Sequence, residues 1–178
     1  MLNYKNRIVF TGGTGRFGKI FKNKEKDTKF KFYFPSRKQL NILNINSVES
    51  YLKLTKPKYL IHLAGLSRPM NIHNKEIDQS IDKNIIGTAI ITKACYKFKI
   101  KLIYVSTCYV YPGTKGNYSE LSPLKPINNY AWSKLGGECA VQMYKNSLIL
   151  RVSMTEKPFI HKKAFANVKL NFLFHDEL

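Results

Sequence analysis

Acid is what this sequence has least of: 11 Asp and Glu stand against 30 Lys and Arg in 178 residues, a formal net charge of +19. Such a surface attracts phosphate groups over long range. The lysines are scattered, however, and the one loose run (Lys22, Lys24, Lys26, Lys29 and Lys31) comes with no nucleic-acid motif. A nucleic-acid partner is therefore not expected, while a small phosphate-bearing ligand would be gathered by the same charge. Cysteine is also sparse. Cys95, Cys108 and Cys139 show no C-x-x-C spacing, which argues against a zinc site or a disulfide framework. No apolar run approaches the roughly 20 residues needed to span a bilayer, so no membrane partner is expected. Repeats, low-complexity tracts and an internal domain boundary are absent too. The stretch Met1 to Arg7 is polar and leads straight into a predicted strand, so the expectation is a cytoplasmic chain without a signal peptide. The closing His175-Asp176-Glu177-Leu178 has the form of an endoplasmic-reticulum retention address, which is read as coincidence without such a peptide. What remains is a chain with 44% hydrophobic residues, enough to bury one good core.

The stretch with the most chemical content is Thr11-Gly12-Gly13-Thr14-Gly15-Arg16-Phe17-Gly18, directly after the apolar run Ile8-Val9-Phe10. Gly12, Gly15 and Gly18 fall in a G-x-x-G-x-x-G spacing between a predicted strand and a predicted helix. Glycine allows a tight turn and a close approach of backbone to ligand. The unpaired N–H groups at the start of the helix then suit a pyrophosphate. A dinucleotide site is the functional reading, and a plain strand–helix turn is the structural alternative.

Along the chain, strands are predicted at 6–10, 30–34, 59–63, 102–105 and 148–152. Helices are predicted at 15–23, at 47–54 with Ser47 as cap, as one helix from about Lys75 to Phe98, and from Asn128 or Asn129 to about Lys145. Pro112, Gly113, Gly116, Pro123 and Pro126 mark 107–126 as a long loop. Strands alternating with helices imply an α/β fold, a Rossmann-like doubly wound parallel sheet with helices on both faces. Ligands of such sheets bind beyond the carboxyl ends of the strands, where the glycine turn lies. After the second strand stands Ser36-Arg37-Lys38 with no acid, which favours the 2′-phosphate of NADP over the ribose diol of NAD.

Tyr130 and Lys134 are four apart on a predicted helix and share a face. A lysine ammonium close to a tyrosine favours the phenolate, lowering a pKa that is ordinarily about 10. Such a pair suits proton exchange with a carbonyl or alcohol. Thr107 leaves the fourth strand where its hydroxyl can bond the same substrate oxygen. His62, at the end of an apolar strand, is read as structural. Trp132 is expected to pack or to line the substrate entrance.

Taken together, these motifs resemble the extended short-chain dehydrogenase/reductases that act on nucleotide sugars. The resemblance runs from Ile8 to about Arg151. It includes the glycine turn, His62-Leu63-Ala64-Gly65 after the third strand, Asn84-Ile85-Ile86-Gly87-Thr88, Ser106-Thr107-Cys108-Tyr109-Val110-Tyr111, and Tyr130 to Glu138. Within that group the motifs are most similar to the dTDP-4-dehydrorhamnose reductases. The resemblance implies Thr107, Tyr130 and Lys134 as catalytic residues. It implies cofactor contacts from Gly12, Thr14, Gly15, Arg16, Phe17, Gly18, Arg37, Leu63, Ala64, Gly65, Asn84, Tyr130 and Lys134. It further implies NADP or NAD as cofactor, a nucleotide sugar as substrate, and reduction of a 4-keto sugar. Cys108-Tyr109 departs from the Asp that the reductases usually carry after the Thr and from the Asp-Glu pair of the 4,6-dehydratases, so a 4,6-dehydratase is not expected. A cysteine here is similar to that of the GDP-fucose synthase type of epimerase, where it shuttles protons; a buried, inert thiol is the plainer reading.

The resemblance makes 1–152 the NAD(P)-binding domain and 153–178 the start of an incomplete substrate region, with much of the substrate lobe missing. A gene fragment, a partner segment supplying the rest and a minimal module are the three expectations. A homodimer through the helices carrying Asn84 and Tyr130 is another. A non-catalytic nucleotide-binding module is the alternative to an enzyme.

Overall fold

The computed structural model describes residues 6–24, 29–159 and 171–177. Lys26 of the lysine run and the whole segment between Phe159 and Asn171 lie outside the described residues, as does Leu178. Five strands form one fully parallel sheet: β1 (Asn6–Thr11), β2 (Phe30–Tyr33), β3 (Tyr59–His62), β4 (Lys101–Thr107) and β5 (Ser147–Val152), in the order β2-β1-β3-β4-β5. The order reverses between β1 and β3, and that reversal opens the crevice in which open α/β sheets hold ligands.

Alternation along β1 sends neighbouring residues to opposite faces. Val9 joins a core with Val48 and Leu52 of α2 (Ile45–Thr55), Ile91, Ala94 and Cys95 of α5 (Gly87–Phe98), and Val141 of α6 (Asn129–Gln142). Phe10 points the other way and stacks on Phe21 of α1 (Arg16–Lys24), with Phe17 and Phe34 beside it. The sheet is thus doubly wound, with helices on both faces, as the alternating pattern predicts.

Three expectations need correction. Ser47 is not the cap of α2: the Asn44 side chain accepts from the Ser47 N–H, and the Ser47 hydroxyl accepts from the Asn41 N–H instead. The single helix expected from Lys75 to Phe98 is two short helices, α3 (Ile72–Lys75) and α4 (Ile77–Ser80), then a π-helical turn over Ile81–Ile86 that runs into α5. Apolar spacing alone does not register one wider turn inserted in a helix. The stretch 107–126, expected as a long loop, opens with a 3-10 turn over Cys108–Val110. After β5, β6 (Met154–Thr155) pairs in parallel with β7 (Leu173–Phe174).

Candidate active site

Thr11 ends β1, and the chain turns through Gly12 at φ +82°, a conformation that side chains disfavour. A Cβ there would also sit 2.8 Å from the Ala64 nitrogen, so the turn after β1 and the segment after β3 touch backbone to backbone. Gly18 lies beneath, where a Cβ would come within 2.4 Å of the Gly13 Cα. Gly18 thus serves the approach of helix to turn and lines neither cavity described below.

Two cavities flank this contact and share Gly12, Thr14, Ala64, Gly65 and Leu66. The smaller, about 280 Å³, also carries Arg37 and Lys83, and among the described residues no acid lines it. The larger, about 540 Å³, gathers Gly15, Arg16, Phe17, Leu63 and Asn84 with Thr107, Tyr130 and Lys134. The fold therefore assembles the residues singled out in the sequence, apart from Gly18, along one bipartite groove. Trp132 lines neither part and is 54% exposed, so neither expectation for it holds.

Asn84 is held on the π-helical turn, an irregularity that often marks functional sites. Its Oδ1 accepts from the Leu66 N–H (2.7 Å), and its Nδ2 donates to the Leu66 carbonyl (2.9 Å) and to Ser133 Oγ (2.8 Å). The Ser133 hydroxyl donates in turn to the Tyr130 carbonyl (2.7 Å). Asn84 thus ties the segment after β3 to the first turn of α6, whose cap is Asn128 accepting from Ala131 N–H.

The titrating groups are set by burial. Tyr130 is pushed up to about 12, mainly by desolvation, with the Thr107 hydroxyl and the Arg68 charge drawing it down. Lys134 is brought down to about 7, also by desolvation, against the opposing pull of Glu138. Its ammonium nitrogen lies 4.2 Å from the Tyr104 ring centroid. The expectation that Lys134 lowers the Tyr130 phenol is not met, because the loss of water dominates both groups. At neutral pH the Tyr130 phenol therefore carries its proton. Burial also raises the Cys108 thiol, which is half-buried in the larger cavity. His62 is structural: its ring nitrogens lie 2.8 Å from Thr11 Oγ1 and 3.1 Å from Thr88 Oγ1, and burial holds it down at about 3.

Several residues that matter here had no assigned role in the sequence reading. Glu138 is buried at 1% exposure, accepts from the Ser106 hydroxyl and pairs with Arg151 (Nη2 at 2.8 Å, Nε at 3.1 Å). Arg151 also donates to the Tyr111 hydroxyl at 2.8 Å. Glu138 stands four residues after Lys134, so helical spacing could have placed it beside the lysine. Arg68, Glu156 and His175 line the larger cavity as well, and no sequence spacing announces them.

A parallel doubly wound sheet with a glycine-turn groove and a Tyr-x-x-x-Lys helix at its mouth defines a Rossmann-like domain of the reductase and epimerase kind. The chain matches the RmlD substrate-binding domain family over residues 6–171 and belongs to that family. Among solved structures it is similar to the dTDP-4-dehydrorhamnose reductase of Bacillus anthracis in complex with NADP. That match has TM-score 0.80 and 31% identity, and covers 86% of this chain and 55% of that one. The methionine adenosyltransferase 2 subunit beta of Xenopus laevis is 31% identical over 154 residues, 82% of this chain and 46% of the relative. The dTDP-4-dehydrorhamnose reductase of Aggregatibacter actinomycetemcomitans is 27% identical over 152 residues, 84% of this chain and 51% of the relative. The chain spans about half the length of the curated relatives it matches. Among the described residues no helix is long and apolar enough to cross a membrane, and no group of His, Cys, Asp or Glu could hold a metal ion.

Proposed function

We propose that this chain binds NADP or NAD, NADP being favoured, and forms the cofactor-binding and proton-donating half of an oxidoreductase that reduces a 4-keto nucleotide sugar. The observation that carries the reading is the single groove in which the glycine turn meets Thr107, Tyr130 and Lys134. The residues present fit a dinucleotide. Gly12 and Gly15 line the larger cavity as backbone without a side chain. Arg37 and Lys83, with no acid opposite, suit a 2′-phosphate. The NADP-bound relative supports the same choice.

When bound, the dinucleotide supplies the hydride that reduces the carbonyl carbon. Tyr130 supplies the proton that the carbonyl oxygen takes up, from a phenol that burial keeps protonated at neutral pH. Thr107 holds that oxygen by hydrogen bonding. Lys134, brought down to about 7 by burial, would hold the cofactor ribose and can accept or release a proton in the working range. A cytoplasmic location belongs to the same reading. A homodimer through the helices carrying Asn84 and Tyr130, or a separate segment completing the sugar pocket, belongs to it as well.

The test is NADPH oxidation with a 4-keto nucleotide sugar. Tyr130→Phe should bind NADPH normally and lose about 10²–10⁴-fold in rate, the usual weight of a general acid. A second reading, a dinucleotide-binding subunit without turnover, is favoured by the relatives named as a subunit of methionine adenosyltransferase. NADPH binding with no reduction of any 4-keto sugar selects it. Failure to bind either dinucleotide refutes both.

A further inference from the structure

The larger cavity contains a charge arrangement that hydride and proton transfer leave unused. Arg16, opening α1, and Arg68, on the segment after β3, converge on one carboxylate. Glu156 Oε1 lies 3.0 Å from Arg16 Nη1, and Glu156 Oε2 lies 3.4 Å from Arg68 Nη1. In a chain with 11 acids against 30 Lys and Arg, Glu156 is the single acid among the described residues lining that cavity. Its side chain is 14% exposed, whereas Arg16 remains 53% exposed. Two guanidinium groups facing one point are the arrangement that recognises phosphate and carboxylate oxygens alike. Beside them, His175 lines the same cavity, and its Nδ1 is buried without a hydrogen-bond partner. The piece carrying the carboxylate is small. Glu156 follows the two-residue strand β6, which pairs only with β7, and His175 follows β7 with its N–H on the Thr155 carbonyl at 2.9 Å. Besides the Arg16–Glu156 pair, two contacts fasten β6 and β7 to α1: the edge of His175 on Phe17, with centroids 5.5 Å apart, and the exposed Lys24–Asp176 pair at 3.4 Å.

We propose that Arg16 and Arg68 form a diphosphate clamp that Glu156 occupies in the ligand-free chain, so that a diphosphate ligand enters by displacing Glu156 and loosening the β6–β7 strap. The proposal deepens the dinucleotide reading and rests on it for the identity of the ligand. The diphosphate has two sources there, the cofactor and the nucleotide sugar. Arg68 also acts on the Tyr130 phenol, so the clamp reaches from the glycine turn toward the proton donor.

Titration calorimetry with the full chain tests this, using inorganic pyrophosphate, NADPH and thymidine diphosphate as probes. Glu156→Gln removes the competing charge and should tighten pyrophosphate about tenfold, since charge-assisted contacts then go to the ligand alone. Arg68→Gln should weaken it by a similar factor and cancel the gain in the double variant. Amide exchange at 154–156 should quicken when pyrophosphate binds. Competition by NADPH assigns the clamp to the cofactor, and competition by thymidine diphosphate alone assigns it to the substrate. Unchanged pyrophosphate affinity in Glu156→Gln overturns the clamp, even where NADPH binds and the dinucleotide reading survives. Tighter pyrophosphate in Glu156→Gln with no NADPH binding to any variant keeps the clamp and removes the dinucleotide reading. Should Glu156→Gln fail to fold, Glu156→Asp keeps the charge on a shorter arm. It should tighten pyrophosphate by a smaller factor, and an unchanged affinity there overturns the clamp equally.

Discussion

Replacing Glu138 by Gln removes one charge without changing the shape of the side chain. In the native site the carboxylate takes the Ser106 hydroxyl and two nitrogens of Arg151, at 2.8 Å and 3.1 Å. The Arg151 side chain is 14% exposed, and the carboxylate holds its pKa above the ordinary value, so the guanidinium stays charged at every pH of interest. In Glu138→Gln that cation keeps only the Tyr111 hydroxyl at 2.8 Å and the Glu120 carbonyl at 3.5 Å. Removing one partner of a buried ion pair typically costs about 3–5 kcal/mol. The Gln oxygen still accepts from Ser106, which puts this variant near the lower end, about 3 kcal/mol. Native stabilities are about 5–15 kcal/mol, so the urea midpoint should fall visibly. Glu138→Leu with Arg151→Met replaces the pair by apolar volume and should recover most of the loss, because well-packed hydrophobic substitutes are often neutral. A Glu138→Gln cost under about 1 kcal/mol, or a double variant as unstable as the sum of its singles, would refute the claim that this pair ties α6 to β5.

Lys134→Met should stabilise the chain at pH 7 and flatten its stability between about pH 7 and 10. The folded lysine titrates at about 7, so the unfolded state binds more protons over that window and native stability rises with pH, as urea titrations at several pH values will show. His62 titrates at about 3 when folded, well below its ordinary value, so its contribution is complete above about pH 6.5 and is lost as pH falls toward 3. His62→Gln should make the urea midpoint less dependent on pH across that interval. Gly137→Ala should cost about 1–3 kcal/mol through overpacking, because its Cβ would lie 2.6 Å from both the Asn84 carbonyl and the Tyr104 hydroxyl. Gly136→Ala meets only the flexible end of Ile85 and should be far milder in the same thermal melts.

Much of this site is legible because its chemistry is local. Three glycines at fixed spacing, and a tyrosine and lysine one helical turn apart, carry their geometry in the spacing itself. The strand and helix periods did the same for the sheet. Asn84 could be placed beside the cofactor segment only through resemblance. The π-helical turn that orients it replaces one hydrogen-bonding pattern by another without altering the apolar rhythm. Glu138 and Arg151 are 13 residues apart on different elements, so their pairing exists only once β5 lies beside β4. The pKa directions were also out of reach. The sequence places a lysine near a tyrosine, and only burial decides that lost hydration outweighs their mutual charge effect.

The groove is held in two different ways, and the difference assigns tasks to its two ends. Around Tyr130 the connections are polar and buried or part-buried: Asn84 to Leu66 and Ser133, Ser133 to the Tyr130 backbone, and Ser106 and Arg151 to Glu138. Those links join β3, β4, β5 and α6 through groups that cannot be exchanged for water without leaving a buried partner unsatisfied. Asn84 and Ser133 thereby hold the backbone that carries Tyr130. The other end rests on β6 and β7, on the Arg16–Glu156 and Arg68–Glu156 pairs, and on one exposed Lys24–Asp176 contact. Exposed ion pairs contribute little and are screened by salt. Salt should accordingly loosen the diphosphate end while leaving the reacting residues in place.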